Sequence, residues 1–423
     1  MKTYNENKKK WNFFDIIALM IGTLILFMQP LKYVNKVFSY IDETLIILMF
    51  ITYFFDILKR KKMKKNELSL FFIFILFILV GIIGNCLSDF SRMPKAIILD
   101  IFSFSKFFIV AICGISFFEK TNNAKKLISF FAFIVKINLI ISFPLSIINQ
   151  FIDLGMRDEI RHGIYCFKYI YDTAAIFSWY CLMYLIVLSV EAIINKKKSN
   201  KIFIILNIIT WIMTGRSRGF AFCLIYIIMY FYNKRLQKNK KQIKFKPMQI
   251  AILGVTGLII AWKQFIFYFT TSTEARYILL HYGTILCKMY LPIGAGFATF
   301  GTFAAQKYYS PVYNYFGINE VYGFSQDNPL YLTDNFWPAI LGETGIIGFI
   351  LYFIAILMCF KILYKKLGTN NDSKFIIIYF FITVICSSIA TTIFTQNATI
   401  GDVFFLCMIA GILKGGKDGE SKY

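Results

Sequence analysis

Residues 68–87 read LSLFFIFILFILVGIIGNCL, twenty positions without a charged side chain, entered from the basic run Lys59-Arg60-Lys61-Lys62 and left through Ser88-Asp89. A helix of that length rises about 30 Å, the thickness of the hydrocarbon core of a bilayer. The run is solidly apolar rather than alternating, which excludes a strand of a membrane barrel. In lipid every backbone group must be bonded internally, so the stretch has to be a helix.

The same pattern recurs along the chain. Apolar segments lie near 13–29, 41–58, 68–87, 96–118, 127–150, 170–194, 202–214, 219–232, 247–270, 336–360, 375–395 and 401–413. The expectation is an all-α, polytopic membrane protein of about twelve transmembrane helices, one transmembrane domain over 1–423, with one large loop at 271–335. The composition agrees: 58% hydrophobic and 19% aromatic, with a mean hydropathy of +0.62. A soluble chain of this length would carry far more polar surface. The first apolar segment has a basic flank but no small-residue cleavage site, and reads as a retained helix.

The formal charge of +23 does not point to nucleic acid, because the basic residues fall in short clusters between apolar segments. Placed on alternate loops, Lys59–Lys65, Lys125-Lys126, Lys196–Lys198, Lys234–Lys246 and Lys365-Lys366 all face one side. By the positive-inside rule that side is the cytoplasm, with both termini cytoplasmic. The cytoplasmic loops are short and hold no Walker A or glycine-rich phosphate motif. The nine cysteines show no CxxC spacing and read as core residues, while Cys166 and Cys287 both fall on the outer side.

The outer face therefore draws attention. Loop 271–335 is rich in tyrosine, and Leu279, Tyr282, Leu286 and Met289 recur at helical spacing, as in an amphipathic helix in the membrane interface or a lid on the bundle. Against the lysine-rich inside, the outside carries Arg92, Arg157, Arg161, Arg216, Arg218 and Arg276. For Arg92 and Arg157 the reading is snorkelling to headgroups. Arg216 and Arg218 sit in Thr214-Gly215-Arg216-Ser217-Arg218-Gly219, a turn between two short helices, and Arg276 opens the large loop. The planar guanidinium fork suits phosphate oxygens, so these three are expected to hold a pyrophosphate. Asp100, Lys106 and Lys136 are expected in structural pairs, and Lys263 is a further candidate for the anion site.

These residues carry a resemblance. Thr214–Gly219, Arg276 with Leu291-Pro292-Ile293-Gly294-Ala295-Gly296 and Phe300-Gly301, then Asp334-Asn335-Phe336 and Leu341-Gly342-Glu343-Thr344-Gly345-Ile346-Ile347-Gly348 look like successive motifs of the O-antigen polymerase and O-antigen ligase family. Arg161-His162-Gly163-Ile164-Tyr165 is a weaker echo. The resemblance implies a GT-C-like bundle acting on undecaprenyl-pyrophosphate-linked oligosaccharide at the outer leaflet of the bacterial cytoplasmic membrane, without cofactor, metal or nucleotide sugar. A flippase and a chain-length regulator are the protein partners it suggests. By position it makes Arg218 and Arg276 ligands of the pyrophosphate, with Arg161 a third and Arg216 beside them.

One departure is chemical. Ligases of that family tend to place a histidine before the helix that follows the large loop; here Asp334 stands there. Asp334 is either a general base toward an attacking sugar hydroxyl or an N-cap of the helix. Glu343, inside that helix, either orients an arginine or a sugar hydroxyl, or pairs helices together. The first functional expectation is a polysaccharide polymerase. A ligase and a lipid-linked oligosaccharide flippase are the alternatives, the flippase disfavoured by the long loop and the absence of an internal repeat.

Overall fold

A computed structural model describes residues 10–61, 63–195, 199–241, 266–267, 270–368 and 370–420. Helices α1 (Phe13–Val34), α2 (Ile41–Arg60), α3 (Lys65–Leu87), α4 (Pro94–Phe118) and α5 (Ala124–Phe151) come first. A two-stranded hairpin follows, β1 (Arg157–Arg161) and β2 (Ile164–Phe167), and then α6 (Ala174–Asn195), α7 (Ser199–Ile212) and α8 (Ser217–Lys238). Within the large loop lie α9 (Ala275–Met289), α10 (Phe303–Lys307) and α11 (Pro311–Tyr315), and beyond it α12 (Phe336–Leu367), α13 (Asn371–Ser388) and α14 (Asn397–Glu420). The expected segment 247–270 lies almost wholly outside the described residues, as do Lys263, Lys244 and Lys246.

Seven of the described helices, α1, α3, α4, α5, α6, α12 and α13, are long and apolar enough to cross a membrane; α7 and α14 hold shorter apolar stretches. On α3 the residues Phe71, Phe72, Leu79 and Ile83 are exposed while Leu70 and Phe77 are buried. A helix that is uncharged over 68–87 and leaves such residues outside is solvated by hydrocarbon rather than water. The chain is a helical, membrane-embedded protein.

The helical architecture matches the all-α expectation with one small addition, and one helix length needs correction. The addition is the β1–β2 hairpin, where Arg161 pairs with Ile164 across a two-residue turn. His162 (φ 53°) and Gly163 (φ 77°) both take positive φ there, the conformation a tight hairpin turn demands. And α8 is not short. Its apolar run ends at Tyr232, yet good helix formers carry it on to Lys238. That extension is held by Asn233 Nδ2 and Gln237 Nε2, both donating to Asp372 Oδ1 at 2.7 and 2.6 Å.

Several polar residues within the helices are paired. Lys106 Nζ on α4 reaches Asp42 Oδ2 at 2.8 Å and Glu43 Oε1 at 3.3 Å on α2. Lys136 Nζ on α5 reaches Glu191 Oε2 on α6 at 2.7 Å, to which Asn200 Nδ2 also donates. Asp15, fully buried, accepts from the backbone of Asn122 and Asn123 and ties α1 to the α4–α5 turn. Lys106 and Lys136 are the structural pairs expected of them.

The feature that positions the large loop is a break in α12. Gly345 adopts φ 61°, ψ −164° inside the helix, so the carbonyls of Gly342 and Glu343 are released from the helical ladder. The glycine segment of the large loop takes them up: Ala295 N donates to Gly342 O at 2.9 Å and Gly296 N to Glu343 O at 2.7 Å. In return Ile347 N donates to Pro292 O at 3.3 Å. On its other side the segment is clasped by α3, where Asn85 Oδ1 accepts from Phe297 N, Asn85 Nδ2 donates to Phe297 O, both at 2.9 Å, and Ser88 Oγ donates to Ala295 O at 2.7 Å. The Phe297 ring then drops between Phe77 and Phe104, over Gly81, where a methyl group would lie 2.3 Å from it.

Loop 271–335 is folded around its own apolar cluster, which includes Leu279, Leu286, Phe300, Tyr313 and Phe324. The helix expected in the membrane interface is α9, and it seats its apolar face on protein. Gly283 lies against Pro338, and Leu286 against Gly342 of α12; Met289, at its end, is exposed. The small residues of α12 give the leucine and glycine stripe of α9 a closer partner than lipid would.

A β-carbon at Gly345 would stand 2.3 Å from Pro292 O and 2.6 Å from Gly294 N. Gly345→Ala is therefore expected to destabilise the protein by more than about 3 kcal/mol, read as a lowered melting temperature in detergent. Gly163→Ala, whose methyl meets nothing within 4 Å, should cost only the left-handed strain, about 1 kcal/mol.

Candidate functional site

The turn Thr214–Gly219 is built from below. Thr214 is buried and its hydroxyl donates to Trp211 O at 2.7 Å. Gly215 (φ 65°) sits on Cys166 of β2, whose Sγ would be 2.4 Å from an added β-carbon. Arg216 then occupies the N-cap position of α8 without capping it. Its guanidinium turns to β1, meeting Asp158 Oδ2 at 3.0 Å and Glu159 Oε1 at 2.9 Å. Arg161 meets the same Glu159 at 2.9 Å. Arg216 and Arg161 thus both face carboxylates, and Arg216 ties the β-hairpin to α8.

Arg218 is held differently. Its Nη2 donates to Ala175 O at 2.7 Å, and its guanidinium lies 4.2 Å from the Trp179 ring centroid. Both groups belong to α6 and orient the cation without neutralising it. Arg218 is also in the first turn of α8, where the helix dipole disfavours cations. A positive charge at a helix N-terminus adds to the local positive potential, the arrangement that attracts an anion.

Arg276 repeats the device in the first turn of α9. Asp334, two residues before α12, lies within electrostatic reach of both Arg276 and Arg218. Burial pushes the Asp334 carboxyl up to about 6, although the two guanidinium groups pull it the other way. The N-cap of α12 is Asn335, and it makes no side-chain cap bond; the capping role considered for Asp334 is not realised. The fold thus gathers Arg218, Arg276 and Asp334 from three separate elements, with Arg216 beside Arg218.

Glu343 does not face this cluster from within the described contacts. It is fully buried, and its Oε1 accepts from Phe300 N at 3.0 Å and Thr302 Oγ1 at 3.1 Å. Arg92 and Arg157, expected to reach headgroups, instead bond to carbonyls. Arg92 donates to Tyr308 O and Tyr309 O. Arg157 donates to Asn149 O and Gln150 O in the last turn of α5 and stacks on Tyr165. Backbone carbonyls left open by a helix end or a turn are nearer partners than phosphates. All nine cysteines are free, Cys166 and Cys287 included. No group of three His, Cys, Asp or Glu side chains that could hold a metal ion occurs among the described residues.

Sequence reasoning missed Asp158 and Glu159 as partners of Arg216, and Trp179 as the platform of Arg218. It also missed His162, whose Nε2 lies 3.1 Å from Ser217 Oγ on the arginine turn. The only signal for the first two was the alternation of charge in Arg157–Arg161. No protein-family model and no curated protein matches the chain.

The raised Asp334 value carries a sign. An acid whose folded value lies above its unfolded one, here about 6 against 3.8, stabilises the fold when protonated and loses that contribution as pH rises through the folded value. Relative to Asp334→Asn, the wild-type melting temperature is expected to fall between pH 4 and pH 6.5 and to level off above. Parallel pH profiles for the two proteins in the same detergent would remove Asp334 as the titrating group.

Proposed function

We propose that the protein is a membrane glycosyltransferase that polymerises oligosaccharide repeat units carried on undecaprenyl pyrophosphate at the outer leaflet. The observation that carries this reading is the convergence of Arg218, Arg276 and Asp334. Two oriented cations at helix N-termini suit a pyrophosphate, and one carboxyl beside them suits proton transfer. The resemblance of Thr214–Gly219, Leu291–Gly301 and Leu341–Gly348 to the O-antigen polymerase and ligase family points the same way.

In this reading the chain has about twelve spans of GT-C-like layout, both termini are cytoplasmic, and loop 271–335 roofs the site. A hydroxyl of the acceptor repeat unit attacks the anomeric carbon of the donor chain. Its proton passes to Asp334, the new glycosidic C–O bond forms, and the bond from the anomeric carbon to the pyrophosphate oxygen breaks. The electron pair leaves with the undecaprenyl pyrophosphate, whose charge Arg218 and Arg276 stabilise. A carboxyl near 6 is largely ionised at neutral pH and still basic enough to accept the proton. Arg216 and Arg161, engaged by Asp158 and Glu159, steer and support rather than bind first.

A deletion strain tests the reading directly. Accumulation of a single lipid-linked repeat unit is the expected result; unattached full-length polymer would mean a ligase, and no change in either would reject both. With purified protein and lipid-linked repeat units, Arg218→Ala and Arg276→Ala should each lower turnover about 100-fold or more. Asp334→Asn should do the same while the fold is retained. Turnover within threefold of wild type in the Arg218 and Arg276 variants would dismiss the pyrophosphate role.

A further inference from the structure

Beneath the glycine segment, two carboxyl groups meet where no counter-ion touches either. Asp100 on α4 is 1% exposed and Glu343 on α12 is 0% exposed, and their side chains face each other within hydrogen-bond range. Each already accepts from the loop: Asp100 Oδ2 from Ala298 N at 2.7 Å, Glu343 Oε1 from Phe300 N at 3.0 Å and Thr302 Oγ1 at 3.1 Å. That leaves Asp100 Oδ1 and Glu343 Oε2, both buried and without a donor among the described residues. Two bare carboxylate oxygens in such a place repel each other strongly.

We infer that Asp100 and Glu343 share a single proton, and that this acid pair is the clasp that pins the glycine segment to the broken helix α12. A hydrogen bond between two carboxyls requires a proton on one of them. The other groups lining the pair, two backbone N–H and one hydroxyl, are all donors. Donors suit a carboxylate and repel a cation, whose site would need acceptors. One proton leaves one negative charge, and one cation answers it at a distance. The Arg92 guanidinium is drawn to both carboxyls while its own N–H groups bond Tyr308 O and Tyr309 O. Tyr313, the other titratable group facing the site, receives the Gly301 N–H on its hydroxyl oxygen at 2.9 Å.

The pair also has a positioning consequence. Glu343 lies on the α12 half that begins just after Asp334, and α9, which carries Arg276, packs on that same half at Pro338 and Gly342. Holding the loop to Glu343 holds Arg276 and Asp334 in register. This second step rests on the transfer reaction proposed above; the shared proton does not.

Infrared spectra of the purified protein test the proton without any substrate. The carbonyl stretch of a protonated carboxylic acid is expected in wild type, and one acid's worth of it should vanish in Asp100→Asn and equally in Glu343→Gln. Each amide donates to the remaining carboxylate, so loop 271–335 should stay as resistant to chymotrypsin as in wild type. Asp100→Ala and Glu343→Ala, which leave the partner acid and the loop donors unmatched, should be cut at least tenfold faster, with melting curves confirming that the variants fold. An unchanged acid band in either amide variant, or a band that appears only after EDTA, overturns the shared proton. Amide variants cut as fast as the alanine variants overturn the clasp. Polymer synthesis retained within threefold in the amide variants and lost at least thirtyfold in the alanine variants supports positioning, and equal loss in both overturns it. If wild type itself makes no polymer while the infrared and protease results hold, only the transfer reaction is rejected.

Discussion

The docking of the glycine segment 294–301 into the break at Gly345 is the constraint on which the large loop depends. A continuous α12 would satisfy its own carbonyls and offer the loop nothing to bond. By leaving the helical ladder at one residue, α12 exposes Gly342 O and Glu343 O to the backbone of Ala295 and Gly296. The exchange is close to neutral in hydrogen bonds, but it converts a covalently long loop into a part of the bundle. Glycine is required where the two backbones touch. At Gly294, Gly296 and Gly345 an added β-carbon would lie within 2.4 Å of a backbone or Asn85 atom, and all three have positive φ.

The second layer of control is electrostatic. Two lysines inside the helices are matched, Lys106 with Asp42 and Glu43, Lys136 with Glu191. Removing either partner would leave a charge uncompensated in a low-dielectric setting. The matching lets the exceptions be seen. Arg218 rests on a ring and a carbonyl rather than on a carboxylate. Asp334, drawn by two arginines, makes no hydrogen bond through its carboxyl among the described residues. Arg218 thus keeps its charge beside Asp334, with which it interacts electrostatically, whereas Arg216 and Arg161 are committed to Asp158 and Glu159.

Much of the candidate site was legible as residue types. Arginine clustered at a turn in a lysine-rich chain is a local signal, as is a lone aspartate ahead of a long apolar helix. Their roles were not separable by the same means. Arg216 and Arg218 are two residues apart and read alike, yet one faces a β-strand and the other a tryptophan of α6, because successive positions at a helix start point in different directions. Glu343 looked like a substrate ligand because an acid inside an apolar helix is costly. The fold resolves that cost internally, with loop donors and Asp100, a residue 243 positions earlier in the chain.

What the sequence determined by itself is that the chain is helical and membrane-embedded, and where its long apolar helices lie. Hydrocarbon length and backbone satisfaction are local properties, and an uncharged run such as 68–87 admits one structure only. The extension of α8 and the β1–β2 hairpin lay at the edge of that logic, since both depend on distant partners, Asp372 for one and Arg216 for the other. Only the tertiary structure decided that the glycines of the loop and of α12 are two halves of one joint, and that Arg218, Arg276 and Asp334 come within electrostatic reach. Such contacts join residues from 47 positions apart, as Ala295 with Gly342, to more than 200, as Ser88 with Ala295, and a chain read position by position holds no record of which distant backbone will come close enough to exclude a side chain.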